Sequence, residues 1–417
     1  MGRPMTLNNV ATMLTARRLR AHGLILALCL WSVYIWNMAT PGLLDRSGNL
    51  KGTDFLHFYT LGSLALAHRG ADLYSMQAQA AVAAQGVPQA AGVIYLPLYP
   101  PQVSLFFAAF ARLSYPCALA LWLSLSSLTY LLCCYAIFRT CPNLQNHKST
   151  VSILALAFPA FWHLIAWGQT SSLALACFTL AFFALRAQQE FLAGLAFGCL
   201  IFKPQLAIAA AIVFVITIRW KIIAGAILSA LLQLMPAWLF YGPGPLREWM
   251  HTLLDLPNRL SLLEPRIYQT HSLRTFWIML MPWPSVSLAL YLMTALLVSA
   301  VTIAGWRSCA PLHLRYSALL FATVLLAPHL TVYDLVILAP AFLLLSDWMI
   351  TQPDNRFTPT LKLLHLLLYL AFALPLCGPL ACWTHLQLSV PVMAALLYGI
   401  WNLGRESQLV PNSRNST

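Results

Sequence analysis

The chain has 417 residues, of which 60% are hydrophobic and only 8% are charged. Soluble globular proteins carry about 25% charged residues, so this composition excludes a soluble enzyme. The net charge of +13 does not favour nucleic acid binding, because the Lys and Arg residues stand singly at the ends of apolar runs. Membrane proteins that keep positive residues on the cytoplasmic side show this pattern.

Apolar runs that could cross a hydrocarbon core of about 30 Å recur along the whole chain. They predict an all-α integral membrane protein, a polytopic bundle of about 12 spans (roughly 10–13) within residues 22–403. Cytoplasmic tails are predicted at 1–21 and 404–417. The spans are predicted near residues 22–40, 116–138, 150–166, 170–186, 190–202, 204–218, 221–241, 285–305, 315–330, 332–350, 362–381 and 386–403. The two short pieces that flank Lys203-Pro204 are either one broken helix or a tight pair.

Two longer segments lie on the predicted outer side, at 41–115 and 242–284. The first contains an amphipathic stretch at 54–69 and an apolar piece at 101–113. That piece is too short to cross the membrane, and we interpret it as a juxtamembrane or re-entrant helix. The second outer segment is too short for a folded domain.

The positions of the charges favour this topology. Treating 101–113 as a full span would move Arg139 and Lys148 outward, against the positive-inside rule. Seven of the 11 acidic residues lie on the predicted outer side of the membrane. The predicted inner side holds 15 of the 24 basic residues: Arg3, Arg17, Arg18, Arg20, Arg139, Lys148, Arg186, Arg219, Lys221, Arg307, Arg315, Arg356, Lys362, Arg405 and Arg414.

Asp54 is the leading candidate for a catalytic residue, because acids are scarce and this one follows the first span in an aromatic stretch. Asp54 and His57 share a face if the stretch is helical. A carboxylate beside a donor in a half-dry groove is suited to accept a proton from a hydroxyl group. Alternatively, Asp54 is a helix N-cap, since Asp after Gly-Thr commonly caps a helix. One residue could fill both roles.

Other polar residues at the predicted outer ends of spans could line the same site. Lys203 lies in a very apolar stretch without an acid nearby in sequence. It either meets a phosphate as a point charge or snorkels to the outer headgroups. Gln169 is either a site residue or a polar turn between two helices.

The last candidates lie near the second outer segment and after it. His329 and Asp334 flank a turn between spans, where they either line the site or hydrogen-bond each other. His271 and Arg274 could bind a phosphate or lipid headgroups, and for Arg274 ordinary interfacial anchoring is an equal alternative.

Several catalytic classes find no support in the sequence. It contains no Walker loop, no Gly-rich dinucleotide turn, no His-Glu-x-x-His and no Gly-x-Ser-x-Gly. The outer carboxylates and the ten Cys show no metal-ligand spacing. We therefore predict neither a cofactor nor a metal.

Five short motifs follow one another along the chain: Asp54-Phe55 with Tyr59, Gly70-Ala71-Asp72-Leu73-Tyr74, Tyr99-Pro100-Pro101, Gly168-Gln169 and Lys203-Pro204-Gln205. In this order they resemble the GT-C membrane glycosyltransferases, and in particular glycosyltransferase family 87. The resemblance covers roughly residues 20–340.

The resemblance implies a polyprenyl-phosphate-linked hexose as donor, with mannose as the expected sugar, and a lipid or glycan acceptor. It implies an inverting transfer at the periplasmic or extracellular face of the plasma (inner) membrane. Asp54 would be the general base, and Lys203 with His271 or His329 would stabilise the leaving phosphate. The expected substrate-binding residues are His57, Tyr59, Tyr99, Gln169, Lys203, Gln205, His271, Arg274, His329 and Asp334.

Two other classes remain as alternatives. A transporter or flippase for a lipid-linked sugar would show internal repeats and broken helices facing each other near the midplane, whereas here no halves match and the polar groups gather at one face. A scaffold without catalysis would tolerate the loss of Asp54.

Overall fold

Helices and short turns make up the computed structural model, which describes residues 14–352 and 359–409. Within these ranges, strand pairing is limited to two isolated bridges, Leu44 with Leu50 and Thr270 with Thr331. The first α-helices are α1 (Ala16–Met38), α2 (Thr53–Leu66), α3 (Met76–Gly86), α4 (Gln102–Ala111), α5 (Tyr115–Phe138), α6 (Lys148–Ala157), α7 (Pro159–Trp167), α8 (Ser171–Arg186), α9 (Glu190–Gly198), α10 (Ile208–Ile216) and α11 (Trp220–Tyr241).

The second half of the chain continues in the same way. Its α-helices are α12 (Gly244–Leu254), α13 (Leu260–Leu263), α14 (Leu273–Leu280), α15 (Pro284–Arg307), α16 (Leu312–Leu326), α17 (Ala339–Ile350), α18 (Pro359–Ala373), α19 (Ala381–Thr384) and α20 (Ser389–Leu409). Short 3₁₀ turns join them, at Gly70–Tyr74, Pro88–Ala90, Asn143–His147, Cys199–Phe202, Pro204–Ala207, Leu256–Arg259, Ile267–Gln269, Val332–Leu338 and Leu374–Leu380.

The all-α membrane fold predicted from the sequence is confirmed. All twelve predicted spans are largely helical, but by length and composition six helices of the described chain could cross a membrane alone: Ala16–Met38, Tyr115–Phe138, Trp220–Tyr241, Pro284–Arg307, Val332–Ile350 and Thr360–Thr384. The predicted span at 150–166 is bent by 43° between Ala157 and Pro159, because a proline ring prevents an unbroken helix there.

Parts of the predicted tails lie outside the described residues, namely 1–13 and 410–417, and so do Arg3, Arg356 and Arg414. Helix α1 begins at Ala16, six residues before the predicted first span, with Thr15 as its N-cap. Arg17, Arg18 and Arg20 are therefore helical.

The segment 41–115, predicted to lie on the outer side, has an aromatic core that it shares with α5. Phe55 and Phe58 of α2 pack with Phe107 and Phe110 of α4 and with Trp122 of α5. The predicted amphipathic character of 54–69 was wrong, since α2 is buried on most of its surface. Helix α4 covers it, and α4 has only ten residues, as expected of a piece that does not cross the membrane.

Close packing fixes the position of α2. A Cβ at Gly62 would lie 2.3 Å from the carbonyl oxygen of Phe107, so α2 and α4 cross at a distance that only glycine permits. The segments 41–115 and 242–284 also contact each other, because the indole N–H of Trp249 donates to the carbonyl of Leu98 at 3.0 Å. These contacts hold the start of α2 against the ends of the membrane helices.

Candidate active site

Asp54 lies in the first turn of α2, where its carboxylate accepts a hydrogen bond from Nε2 of Gln169 at 2.6 Å. Gly52, with a left-handed φ of 68°, is the N-cap residue, and no side chain caps this helix. The N-cap alternative for Asp54 is therefore wrong. The carboxylate still benefits from the partial positive charge at the helix N-terminus.

Gln169 is positioned by a tight turn between α7 and α8. Gly168 adopts a φ of +72°, and a Cβ there would lie 2.8 Å from the Cβ of Phe55. The carbonyl of Gly168 accepts from the indole N–H of Trp122 at 2.9 Å. These contacts press the turn against the start of α2, and any side chain at position 168 would displace Gln169 from Asp54.

The other end of the Gln169 amide faces two further candidates. Its Oε1 lies 3.4 Å from the Tyr99 hydroxyl and 3.5 Å from the ammonium of Lys203, and both groups donate to it. Asp54, Tyr99, Gln169 and Lys203 thus form one connected hydrogen-bond network.

Lys203 continues this network to Asp334. The two side chains form an ion pair at 2.7 Å, with side-chain exposures of only 4% and 2%. The Ser171 hydroxyl donates to Asp334 at 2.6 Å and accepts from Lys203 at 2.9 Å. The N–H and hydroxyl of Thr331 donate to the second oxygen of Asp334, each at 3.2 Å. Such a buried pair is tolerable because its charges are both paired and hydrogen-bonded.

The snorkelling alternative for Lys203 is wrong, because its ammonium is buried and faces Asp334, Ser171 and Gln169. The apolar stretch around Lys203 gives no sign of its ion-pair partner, Asp334, which lies 131 positions further along the chain. Ser171 was missed, because a serine opening an apolar helix gives no sequence signal. Thr331 carries a weak signal, since Thr-x-x-Asp has the spacing of a capping box.

His329 does not hydrogen-bond Asp334, so that alternative is also wrong. Its Nδ1 lies 2.8 Å from Glu264, which also accepts from Arg274, and Arg274 donates in addition to the carbonyl of Pro328. Burial raises the pKa of Glu264, but His329 and Arg274 outweigh that effect and hold the pKa below its ordinary value. Glu264, Arg274 and His329 form a second cluster, joined to the first through the segment 328–334.

The sequence suggested His57 as the hydrogen-bond donor to Asp54. In the structure the donor is Gln169 instead. The His57 ring packs against Tyr95 and Tyr99, with centroids 4.9 and 5.6 Å away. Its Nε2 is buried and has no hydrogen-bond partner among the described residues. Burial lowers the pKa of His57 to about 3, so the ring is neutral.

Three other predicted residues lie apart from the network. The Tyr59 hydroxyl donates to the carbonyl of Leu113 at 2.8 Å. His271 is buried, and its Nδ1 lies 2.7 Å from the Ser389 hydroxyl; burial lowers the pKa of His271 to about 3. Gln205 is half-buried, and its side chain makes no hydrogen bond within the described chain.

The electrostatics of Asp54 differ from those of a surface carboxylate. Burial raises its pKa to about 6, although the hydrogen bond from Gln169 and the charge of Lys203 act in the opposite direction. At neutral pH the group is therefore mainly ionised and a stronger base than an exposed Asp, which is the condition for general-base catalysis.

An apolar cavity of about 310 Å³ lies beside the second cluster. Arg274 and Ser287 are its polar residues, and the rest of its lining is Leu260, Ile278, Met281, Pro282, Pro284 and Leu288. No group of three or more His, Cys, Asp and Glu with the arrangement of a metal site occurs in the described ranges.

Comparison with protein families gives one match. The model of glycosyltransferase family 87 matches residues 98–328, just over half of the chain and including Tyr99, Gln169 and Lys203. No curated protein and no solved structure matches the chain. Membership of this family favours a transferase over a flippase or a scaffold. The chain belongs to glycosyltransferase family 87 and is a membrane glycosyltransferase.

Proposed function

We propose that the protein transfers a hexose, with mannose as the first sugar to test, from polyprenyl phosphate to a hydroxyl group of a lipid or glycan acceptor. Asp54 is the general base. The observation that carries this proposal is the hydrogen bonding of the Asp54 carboxylate. Oδ2 is held by Gln169, whereas no donor among the described residues contacts Oδ1, so this oxygen is available to an acceptor hydroxyl.

The reaction needs one proton transfer and one displacement. Asp54 accepts the proton of the acceptor hydroxyl while that oxygen attacks the anomeric carbon. The bond from the anomeric carbon to the phosphate oxygen breaks, and its electron pair leaves with polyprenyl phosphate. Attack opposite to the leaving group inverts the anomeric configuration. Gln169 holds the carboxylate in place, and its orientation depends on Lys203 and Tyr99.

Negative charge develops on the phosphate as it leaves, and cations aimed at that position would stabilise it. Lys203 is the cation that contacts Gln169 in the network, and Arg274 and His329 belong to the second cluster. Arg274 also borders the apolar cavity of about 310 Å³. A phosphate at Arg274 and a polyprenyl chain along this cavity would match the two halves of the proposed donor.

The helix directions support a site on the outer face. Helix α8 begins at Ser171 in the network and ends at Arg186, and α16 runs from near Arg315 towards Asp334. Helices of 15–16 residues extend about 22–24 Å, so the network lies one helix length from the basic end. The positive-inside rule assigns that end to the cytoplasm. Because the hydrocarbon core is about 30 Å thick, the network is recessed below the outer surface.

The test is transfer of label from synthetic polyprenyl-phosphate-[³H]mannose, and from the glucose and galactose analogues, into the lipids of membranes that contain the protein. We expect incorporation with wild type and none with Asp54→Asn at equal protein abundance. Incorporation from another hexose alone would correct the sugar. Failure with every donor, or movement of the intact donor across the bilayer without transfer, would overturn the proposal.

A further inference from the structure

The end of the bundle opposite to Asp54 contains two adjoining cavities, of about 290 and 310 Å³. Arg307, Ser308 and Arg315 line both of them. Arg219 lines the first and Arg405 the second. Four arginines from three separate parts of the chain therefore converge on these two adjoining cavities.

The positive charge in this space is poorly compensated. Arg219 forms an ion pair with Glu190 at 2.9 Å, but Arg307 and Arg315 contact no carboxylate of the described residues. They donate instead to the carbonyls of Ile216 at 3.0 Å and Trp306 at 3.3 Å. Nε of Arg315 is buried and has no partner within the described ranges. Like charges placed together are unfavourable unless an anion joins them.

The depth of these cavities matches a lipid headgroup. The guanidinium groups of Arg315 and Arg405 lie over the rings of Trp306 and Trp401, at 5.4 and 5.0 Å from their centroids. Tryptophan is enriched where membrane meets water. Trp306 is buried, but Trp401 is half-buried, and Arg307 is the last residue of a helix long enough to cross the membrane. These positions at the ends of helices match the level of the bilayer phosphates.

The walls of the second cavity distinguish a lipid from a soluble anion. Between α15, α16 and α20 the lining becomes apolar, formed by Val301, Ala304, Ala310, Leu314, Ala318 and Ile400. A free phosphate has no apolar group to place against these side chains, whereas a phospholipid has its acyl chains. Basic pockets between membrane helices on the cytoplasmic side commonly bind acidic headgroups.

We propose that Arg307 and Arg315, together with Arg219 and Arg405, bind the phosphate of an anionic phospholipid in the leaflet opposite to the glycosyl-transfer site. The lipid phosphate neutralises positive charge of the arginines at this end of the bundle. Its acyl chains fill the space between α15 and α20. This site is separate from the Asp54 network and uses none of its residues.

The experiment is native mass spectrometry of the detergent-purified full-length protein after addition of phosphatidylglycerol, phosphatidylcholine or inorganic phosphate. We expect phosphatidylglycerol adducts to exceed phosphatidylcholine adducts and to fall about fivefold for each arginine neutralised, in Arg307→Gln and in Arg307→Gln/Arg315→Gln. The matched control is Arg139→Gln, since Arg139 is an exposed arginine after α5 that lines neither cavity.

Each outcome decides the proposal. If the double variant cannot be purified, Arg405→Gln serves as a second variant, since Arg405 is exposed and lies at the edge of the space. Equal binding of the two lipids, or undiminished phosphatidylglycerol binding in the variants that can be purified, overturns the proposal. Competition by inorganic phosphate that removes the lipid adducts at millimolar concentration would assign the site to a soluble anion and would overturn the lipid source.

Discussion

Asp54 and Asp334 belong to the same hydrogen-bond network but have opposite surroundings. Asp334 is fully buried, and both of its oxygens are occupied, by Lys203 and Ser171 on one side and by Thr331 on the other. Asp54 is only half-buried and is held through one oxygen by the neutral amide of Gln169. Asp54 therefore keeps one oxygen that no donor of the described residues contacts, whereas both oxygens of Asp334 are held.

Environment assigns different tasks to two carboxylates in many active sites. A charge that is paired and saturated with donors contributes to a rigid arrangement, whereas a desolvated carboxylate without a direct cation is a stronger base. On this basis we propose Asp54 as the reacting group and Asp334 as a positioning residue that acts through Lys203 on Gln169.

The largest expected effect is on catalysis at Asp54. Asp54→Asn keeps the shape and the contact with Gln169 but removes the base, so transfer should fall by about 10²–10⁴-fold. Thermal unfolding of the purified variant should occur at the same temperature as wild type or higher, because burial disfavours the charged form. Asp72→Asn is the control, since Asp72 pairs with Arg69 in the same outer segment. Appreciable transfer by Asp54→Asn would mean that another group is the base.

The second effect is on stability at Asp334. Lys203→Met and Asp334→Leu each leave a buried charge without its partner, and each should lower the free energy of unfolding by about 3–5 kcal/mol. The double variant should be more stable than either single variant, because no isolated charge remains. Denaturation in detergent measures all three. The control Arg69→Met breaks an exposed pair and should cost at most about 1 kcal/mol. Single variants as stable as wild type would contradict a structural role for the pair.

The third effect is a pH dependence specific to Asp54. A base must be deprotonated, so kcat/KM should decrease as the pH falls through about 6, the raised pKa of this carboxyl, and should lose about tenfold per pH unit below it. The ionisation of Asp54 also lowers stability as pH rises between the ordinary Asp value and about 6, since the folded state binds the proton more tightly. A rate that stays constant down to pH 5 would contradict the assignment.

The smallest effect is expected at Gln169. Gln169→Leu removes a hydrogen bond that favours the charged form of Asp54, so the pKa of Asp54 should rise and the acidic limb of the pH–rate profile should move to higher pH. At pH 8 the loss should be less than about tenfold, because most of the base remains ionised. Gln205→Leu, in the motif that contains Lys203 but outside the network, should leave the limb in place. An unmoved limb in Gln169→Leu would show that the amide does not tune Asp54.

The sequence pointed to most members of the hydrogen-bond network but not to their partners. Asp54, Tyr99, Gln169, Lys203 and Asp334 were all predicted as site residues, because polar groups at the ends of apolar helices are conspicuous. Their partners were assigned less well. His57 was expected beside Asp54, yet its ring faces Tyr95 and Tyr99.

The errors have a common cause. Helical spacing reports which residues share a face of one helix, but it does not report which other segment covers that face. Lys203 and Asp334 are far apart in sequence, so their ion pair could not be predicted. The contacts of Glu264 with Arg274 and His329 likewise depend on how distant segments pack together.

The amino-acid sequence alone determined the class of molecule and the positions of its helices, since apolar length and charge placement follow directly from the cost of exposing polar groups to lipid. Only the tertiary structure decided which side chains meet, because contacts between α2, the turn at Gly168 and the segment 328–334 depend on close packing of distant parts of the chain. That packing gives Asp54 the amide of Gln169 as its partner and gives Asp334 the ammonium of Lys203.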